Sequence, residues 1–245
     1  MGTSVPEMPP PPDWAATVAA DADAGRSRPI WGIVVAAGVG RRFGAEKQFL
    51  TLCGRPIYEW AVATLRSVAD GVVLVVPPGR AADAELRTSA DVVVAGGETR
   101  AASVRSGLRA VPEEAAIIVV HDAARPLASE ALCREVVAAV VSGAEAAIPG
   151  VEVLDTVKAV SGGVVHSTVD RANLVRVQTP QAFRASILRR AHAAEPEATD
   201  DAAVVEALGV DVLVVPGEES NLKITAPADL ELLEWRLSAR DPRSP

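Results

Sequence analysis

The chain has few cysteines, no excess of positive charge and no long apolar run, and each shortage removes a class of function. Its two cysteines, Cys53 and Cys133, stand far apart without metal-ligand spacing. Neither a disulfide framework nor a zinc site is expected, and a reduced, cytoplasmic protein is the default. The formal charge is −8 at pH 7. Nucleic acids and anionic bilayers are bound through a net cationic face, so no nucleic acid and no membrane is expected as a partner. An anionic ligand must instead meet a local basic pocket. No stretch approaches the roughly 18 consecutive apolar residues of a membrane span.

Residues 1–29 carry Pro9-Pro10-Pro11-Pro12 and no strong apolar period, and read as a disordered tail. No basic stretch there precedes a continuous apolar core, as a secretory signal requires. Pro6 stands where the myristoylation pattern that Gly2 could open wants Ser or Thr.

Two familiar phosphate signatures are also missing. The apolar run Ile33 to Ala37 stops at Gly38-Val39-Gly40 and delivers Arg41, Arg42 and Lys47. A dinucleotide fingerprint needs a third glycine where Phe43 stands, and an acid at the end of the second strand, where the chain reads Val75-Val76-Pro77-Pro78. A Walker loop needs Gly-Lys-Ser/Thr, but Lys47 lies between Glu46 and Gln48. What is present still suits phosphate. Glycines let backbone N–H groups approach an anion closely, and three cations follow. The alternative is a left-handed turn flanked by ordinary surface arginines.

With 245 residues, 49% of them hydrophobic, the chain can bury a full core as one large domain, or as one domain with an appendage. Ile57, Trp60, Ala61, Thr64, Leu65 and Val68 recur at helical spacing, with Pro56 suited to a first turn. Val72 to Val76 reads as a strand covered on both faces. A second helix, a short strand at Asp91 to Ala95, a helix opened by Gly96-Gly97-Glu98-Thr99-Arg100 and a strand at Ile117 to Val120 follow. This alternation predicts an α/β fold, a mostly parallel sheet with helices on both faces, whose ligands bind beyond the strands' carboxyl ends. The loops at Gly38, Gly96 and His121 all fall there.

The pattern changes between Val151 and Val169, where Gly162-Gly163 marks a β-hairpin. Such an arm cannot bury its own faces, so it is expected to pack against a second copy of the chain, the alternative being that it lies on its own domain. Beyond it come Leu174 to Gln178, a helix near Arg184 to Ala193, a helix start at Thr199-Asp200-Asp201 and a strand at Asp211 to Val215. A last helix opens at Pro227, with Leu230, Leu233 and Leu237 on one face.

Eight motifs carry a resemblance: Ala36-Ala37-Gly38-Val39-Gly40-Arg41-Arg42, Gly96-Gly97-Glu98-Thr99-Arg100, His121-Asp122-Ala123-Ala124-Arg125-Pro126, Asp155-Thr156-Val157-Lys158, Thr168-Val169-Asp170-Arg171, Thr179-Pro180-Gln181, Thr199-Asp200 and Asn221-Leu222-Lys223. In this order they resemble the 2-C-methyl-D-erythritol 4-phosphate cytidylyltransferases of the non-mevalonate isoprenoid route. The resemblance implies a Rossmann-like nucleotidyltransferase fold over residues 30–240, with a protruding dimerisation β-arm at about 151–170. It implies that CTP and 2-C-methyl-D-erythritol 4-phosphate give the cytidine diphosphate sugar alcohol and pyrophosphate, with Mg2+ on the triphosphate. Ala36, Ala37, Gly38, Gly40, Gly97, Glu98, Ser103, Asp122 and Ala123 are expected around CTP, with Asp122 as a weak metal contact. Arg42, Lys47, Arg171 and Lys223 are expected as the catalytic cations. Arg125, Thr156, Thr179 and Thr199 are expected around the sugar phosphate, with Thr156 and Arg171 reaching across from a partner in a homodimer.

The chemistry explains the cations. A phosphate monoester is mostly deprotonated near neutral pH, its second pKa being about 6, so it needs no general base. Its obstacle is repulsion, because a dianion must approach a polyanion. Two unit charges about 4 Å apart cost about 1 kcal/mol in water and about 4 at an effective dielectric of 20. Simpler roles remain open: His121 as a buried strand-end histidine, His166 and His192 as structural or solvated, Asp122 as a helix cap, and Thr199 as an N-cap. Two other functions compete, a cytidylyltransferase for another polyol phosphate such as ribitol 5-phosphate and a non-catalytic nucleotide-binding module.

Overall fold

The computed structural model describes residues 29–38, 40 and 43–238. Residues 1–28 of the expected tail and the expected role of Arg42 lie outside the described residues. In chain order, the first half runs β1 (Ile30–Val35), β2 (Thr51–Leu52), β3 (Arg55–Pro56), α1 (Ile57–Arg66), β4 (Gly71–Val76), α2 (Leu86–Ser89), β5 (Val92–Ala95), α3 (Arg100–Ala110) and β6 (Ile117–Asp122). Then come α4 (Glu130–Val141), β7 (Ala146–Glu152), β8 (Val157–Ser161), β9 (Val164–Val169), β10 (Val175–Val177) and β11 (Gln181–Arg184). The described chain closes with α5 (Ala185–His192), α6 (Asp201–Glu206), β12 (Val212–Pro216) and α7 (Pro227–Ser238).

Continuous apolar strands demand cover on both faces, and the sheet provides it. All six residues of β4 and all six of β6 are buried. The order is β10-β7-β11-β6-β1-β4-β5, with β12 also on β7. β1 pairs in parallel with β4 and β6, β4 with β5, and β12 with β7, whereas β10 and β11 run antiparallel to their neighbours. One face buries Ala61, Leu65, Val136 and Val140 of α1 and α4, and the other Val104, Leu108, Leu188 and Val205 of α3, α5 and α6. The α/β expectation therefore holds. The helix expected between β4 and β5 is reduced to a 3-10 turn at Pro78–Arg80 and the single turn of α2. Among the described residues, no helix is long and apolar enough to cross a membrane.

β8 and β9 form a two-stranded antiparallel hairpin apart from the main sheet. Its turn places Gly162 and Gly163 at φ of +58° and +79°, the left-handed region that residues with a Cβ avoid. The hairpin starts later than expected, because Val151 and Glu152 belong to β7.

α7 lies over a small separate core of Leu52, Ile57, Leu127, Ile224 and Leu233, with Leu230 partly buried against it. Its first turn is tied by Asp229, whose Oδ2 accepts from the backbone N–H groups of Thr225 (2.6 Å) and Ala226 (2.8 Å). The segment before α7 thus enters the molecule in a fixed position.

Candidate active site

Beyond the carboxyl ends of β1, β4 and β6 opens a cleft of about 990 Å³. Eleven of the expected residues line it: Ala36, Ala37, Gly38, Gly40, Lys47, Gly97, Glu98, Ser103, Asp122, Ala123 and Lys223. Its shape begins with the glycine loop. Gly40 has a φ of +63°, and a Cβ there would collide with the carbonyl oxygen of Ala45. The Gly40 carbonyl accepts from the N–H groups of Phe43 (2.9 Å) and Gly44 (2.8 Å), which turns the chain back toward Lys47.

Gln48 also lines the cleft, a residue that sequence reasoning missed. Its side chain is buried, and Nε2 donates to the carbonyls of Ala36 (2.7 Å) and Gly38 (2.9 Å). Binding two carbonyls with one amide leaves this turn little freedom to rotate. The signal in the sequence was slight, a lone glutamine beside the expected lysine. Lys47 Nζ donates to the Ile224 carbonyl at 2.5 Å, so residues 177 positions apart meet at the rim.

On the opposite wall Thr99 caps α3, its side chain accepting from the Ala102 N–H. Ser103 donates to the Thr99 carbonyl at 2.9 Å, and Gly97 N–H approaches Ser103 Oγ at 3.2 Å. Between the walls Asp122 ends β6 and caps no helix. Its Oδ1 accepts from Arg100 Nε at 3.0 Å and its Oδ2 from Lys223 Nζ at 2.6 Å. Burial alone would raise the Asp122 carboxyl, but Arg100 and Lys223 together hold it well below the usual carboxylate range. Burial likewise opposes the charge of Arg100, and Asp122 with Asp201 more than offsets it. Arg100 is a second residue without an assigned role in the sequence, although it stands inside a quoted motif.

Of the other expected residues that are described, Arg125, Thr156, Arg171, Thr179 and Thr199 do not line the cleft. Thr179 is buried behind it, where Oγ1 accepts from the Asp122 N–H (3.1 Å) and lies 2.8 Å from His121 Nδ1. Arg125 donates to the carbonyls of Asn221 (2.7 Å) and Val177 (3.3 Å), joining the loop after β6 to the one before Lys223. Thr199 is exposed, and Asp200 rather than Thr199 caps α6, accepting from the Ala203 N–H. Thr156 and Arg171 are exposed on either side of the hairpin. His192 is buried against Asp201. Among the described residues no cluster of three His, Cys, Asp or Glu side chains could hold a metal ion.

His121 is fully buried, and burial is the main reason its pKa falls to about 4. In the unfolded chain the imidazole titrates near 6.5. The unfolded state therefore binds the extra proton first as pH falls, and stability drops between about pH 6.5 and 4 by roughly 3 kcal/mol. Urea unfolding across that window should reveal the slope in wild type and its loss in His121→Gln. An unchanged slope would show that another group titrates there.

Comparisons with known proteins show the family and the fold. A sequence model of the 2-C-methyl-D-erythritol 4-phosphate cytidylyltransferases matches residues 30–239. The enzyme of that name from Frankia casuarinae is 45% identical over 217 residues, covering 86% of this chain and 82% of its own. The bifunctional enzyme IspD/IspF of Nitratidesulfovibrio vulgaris is 42% identical over 225 residues, covering 83% of this chain. This chain spans only 57% of that relative's length. The crystal structure of 2-C-methyl-D-erythritol 4-phosphate cytidylyltransferase from Thermus thermophilus superposes with a TM-score of 0.72 at 38% identity, over 84% of this chain and 97% of that one.

Proposed function

Since the chain belongs to the 2-C-methyl-D-erythritol 4-phosphate cytidylyltransferase family, we propose that it transfers a cytidylyl group from CTP to 2-C-methyl-D-erythritol 4-phosphate. A phosphate oxygen of the sugar alcohol attacks the α-phosphorus of CTP. A new P–O bond forms, the bond between the α-phosphorus and its bridging oxygen breaks, and pyrophosphate leaves with the electron pair. One observation carries the reading: a glycine loop, Lys47, Lys223 and the Arg100–Asp122 pair converge on one cleft in a chain of formal charge −8.

Each residue then has a task. Backbone N–H groups around Gly38 and Gly40 cradle the triphosphate, and Lys47 neutralises the charge that grows on the phosphorus. Residues Gly97, Glu98 and Ser103 face the nucleoside. Lys223 reaches an incoming phosphate by leaving Asp122, since its side chain is 41% exposed. Arg42 is assigned to the phosphates with Lys47. Arg125, Thr179 and Thr199 shape the approach of the sugar phosphate from behind the cleft and its rim. Asp122 fits Mg2+ only as one carboxylate beside the triphosphate, which suits an ion that keeps most of its water. Such an ion, when bound, neutralises phosphate charge.

Thr156 and Arg171 are assigned to the cleft of a second copy, in a homodimer built through the arm. The exposed apolar side chains of Leu154, Val160, Val164 and Val165 support that pairing, because an isolated hairpin is at best marginally stable. The arm, with the domain of residues 30–240 and a cytoplasmic location, completes the reading.

The test of the reaction is pyrophosphate release from CTP with methylerythritol phosphate, against ribitol 5-phosphate and against ATP, GTP and UTP. Release with ribitol 5-phosphate alone would overturn the substrate assignment. Arg171→Ala should raise KM for the sugar phosphate about tenfold or more and leave CTP binding nearly unchanged. A selective loss of CTP affinity would contradict the role given to Arg171, and a monomer in sedimentation would contradict the dimer.

A further inference from the structure

Arg100 is held from two sides. Its Nε donates to Asp122 and its Nη1 to Asp201 Oδ2 at 2.8 Å. Asp201 lies 101 residues away in sequence, on the first turn of α6, and its side chain is 1% exposed. Its other oxygen, Oδ1, lies 3.1 Å from His192 Nε2 on α5, itself 2% exposed. A line of contacts thus runs from α5 through α6 and α3 to the end of β6.

We propose that Asp201 and His192 are positioning residues, which fix the Arg100 guanidinium and, through it, the Asp122 carboxylate at the mouth of the cleft. The inference rests on the reading that the cleft joins CTP to a sugar phosphate. A guanidinium is a rigid planar fork, so an edge held by Asp201 determines where the other edge points. Lysine at position 100 could not transmit orientation in that way. Asp201 also shares the charge of Arg100. When an incoming phosphate draws Lys223 away, Asp122 keeps one partner, and that partner is restrained from following the anion. His192 holds the far side of Asp201, so the carboxylate cannot rotate away from Arg100. Asp201 therefore acts on chemistry that it does not touch.

The experiment is a double-mutant cycle on the full chain with Asp201→Asn, Arg100→Lys and the pair, reading kcat from pyrophosphate release and CTP affinity by calorimetry. Asp201→Asn should lower kcat about 10- to 30-fold, a typical loss for an outer supporting partner, with the CTP Kd changed less than about twofold. In the Arg100→Lys background the same substitution should cost almost nothing more, since the route through the guanidinium is already broken. His192→Leu should lower kcat several-fold, and His192→Gln, which keeps a donor toward Asp201, should recover most of it. These two cover the case in which Asp201→Asn does not fold. Multiplicative losses in the cycle, or a lower melting temperature with unchanged kcat per folded molecule, would overturn the proposal. Wild-type turnover is measured alongside: its absence would reject the assigned reaction, whereas its presence with uncoupled variants would reject only the role of Asp201 and His192.

Discussion

Lys47→Ala lowers kcat by about 10²- to 10³-fold while the protein keeps its fold. The ammonium sits at the rim of the cleft, where a hydrogen bond to the Ile224 carbonyl at 2.5 Å fixes its position. A cation anchored in this way meets an incoming phosphate without first having to be ordered. In the transition state the reacting phosphorus carries more negative charge on its peripheral oxygens than either reactant alone, and a fixed cation stabilises that state preferentially. The loss should therefore appear in kcat at saturating CTP. Circular dichroism and thermal melting should match wild type to within a few degrees. Full turnover in the variant would remove Lys47 from the mechanism.

Gln48→Leu acts earlier, on the shape of the cradle. It deprives the buried Ala36 carbonyl and the exposed Gly38 carbonyl of their shared donor, and an unsatisfied buried acceptor such as that of Ala36 costs about 1 to 3 kcal/mol. Stability should fall by about 1 to 3 kcal/mol, read from urea midpoints. The larger effect is on activity. A loop displaced by about 1 Å can lose about 10² in rate, so kcat/KM for CTP should drop by about that factor. A variant with normal kinetics would mean that the glycine turn holds its own shape without the amide.

These two residues mark the boundary of what the amino-acid sequence discloses by itself. Lys47 was legible because its charge follows a glycine turn at short range, and Val72 to Val76 because an unbroken apolar run has few alternatives to a buried strand. Asp122 was legible as a polar residue at a strand's carboxyl end, although its pairing was not. Gln48 was missed because a glutamine's value lies in which carbonyls come within reach, and periodicity says nothing of that. The pairing of Arg100 with Asp201 joins residues 101 positions apart, a distance at which charge patterning in the sequence carries no signal. The cap of α6 shows a finer failure. Thr199 and Asp200 are both good capping residues, and only the backbone at Asp200, with φ of −149° and ψ of 175°, decides between them.

The placement of α7 carries a consequence for shortened chains. Leu233 of α7 and Ile224 are buried in the same small core, and Ile224 supplies the carbonyl that Lys47 grips while adjoining Lys223. A stop codon just ahead of Pro227 would spare every strand of the main sheet. It would nonetheless strip the tether from the strap bearing Lys223, so the truncated product should remain folded and lose its hold on both lysines at once.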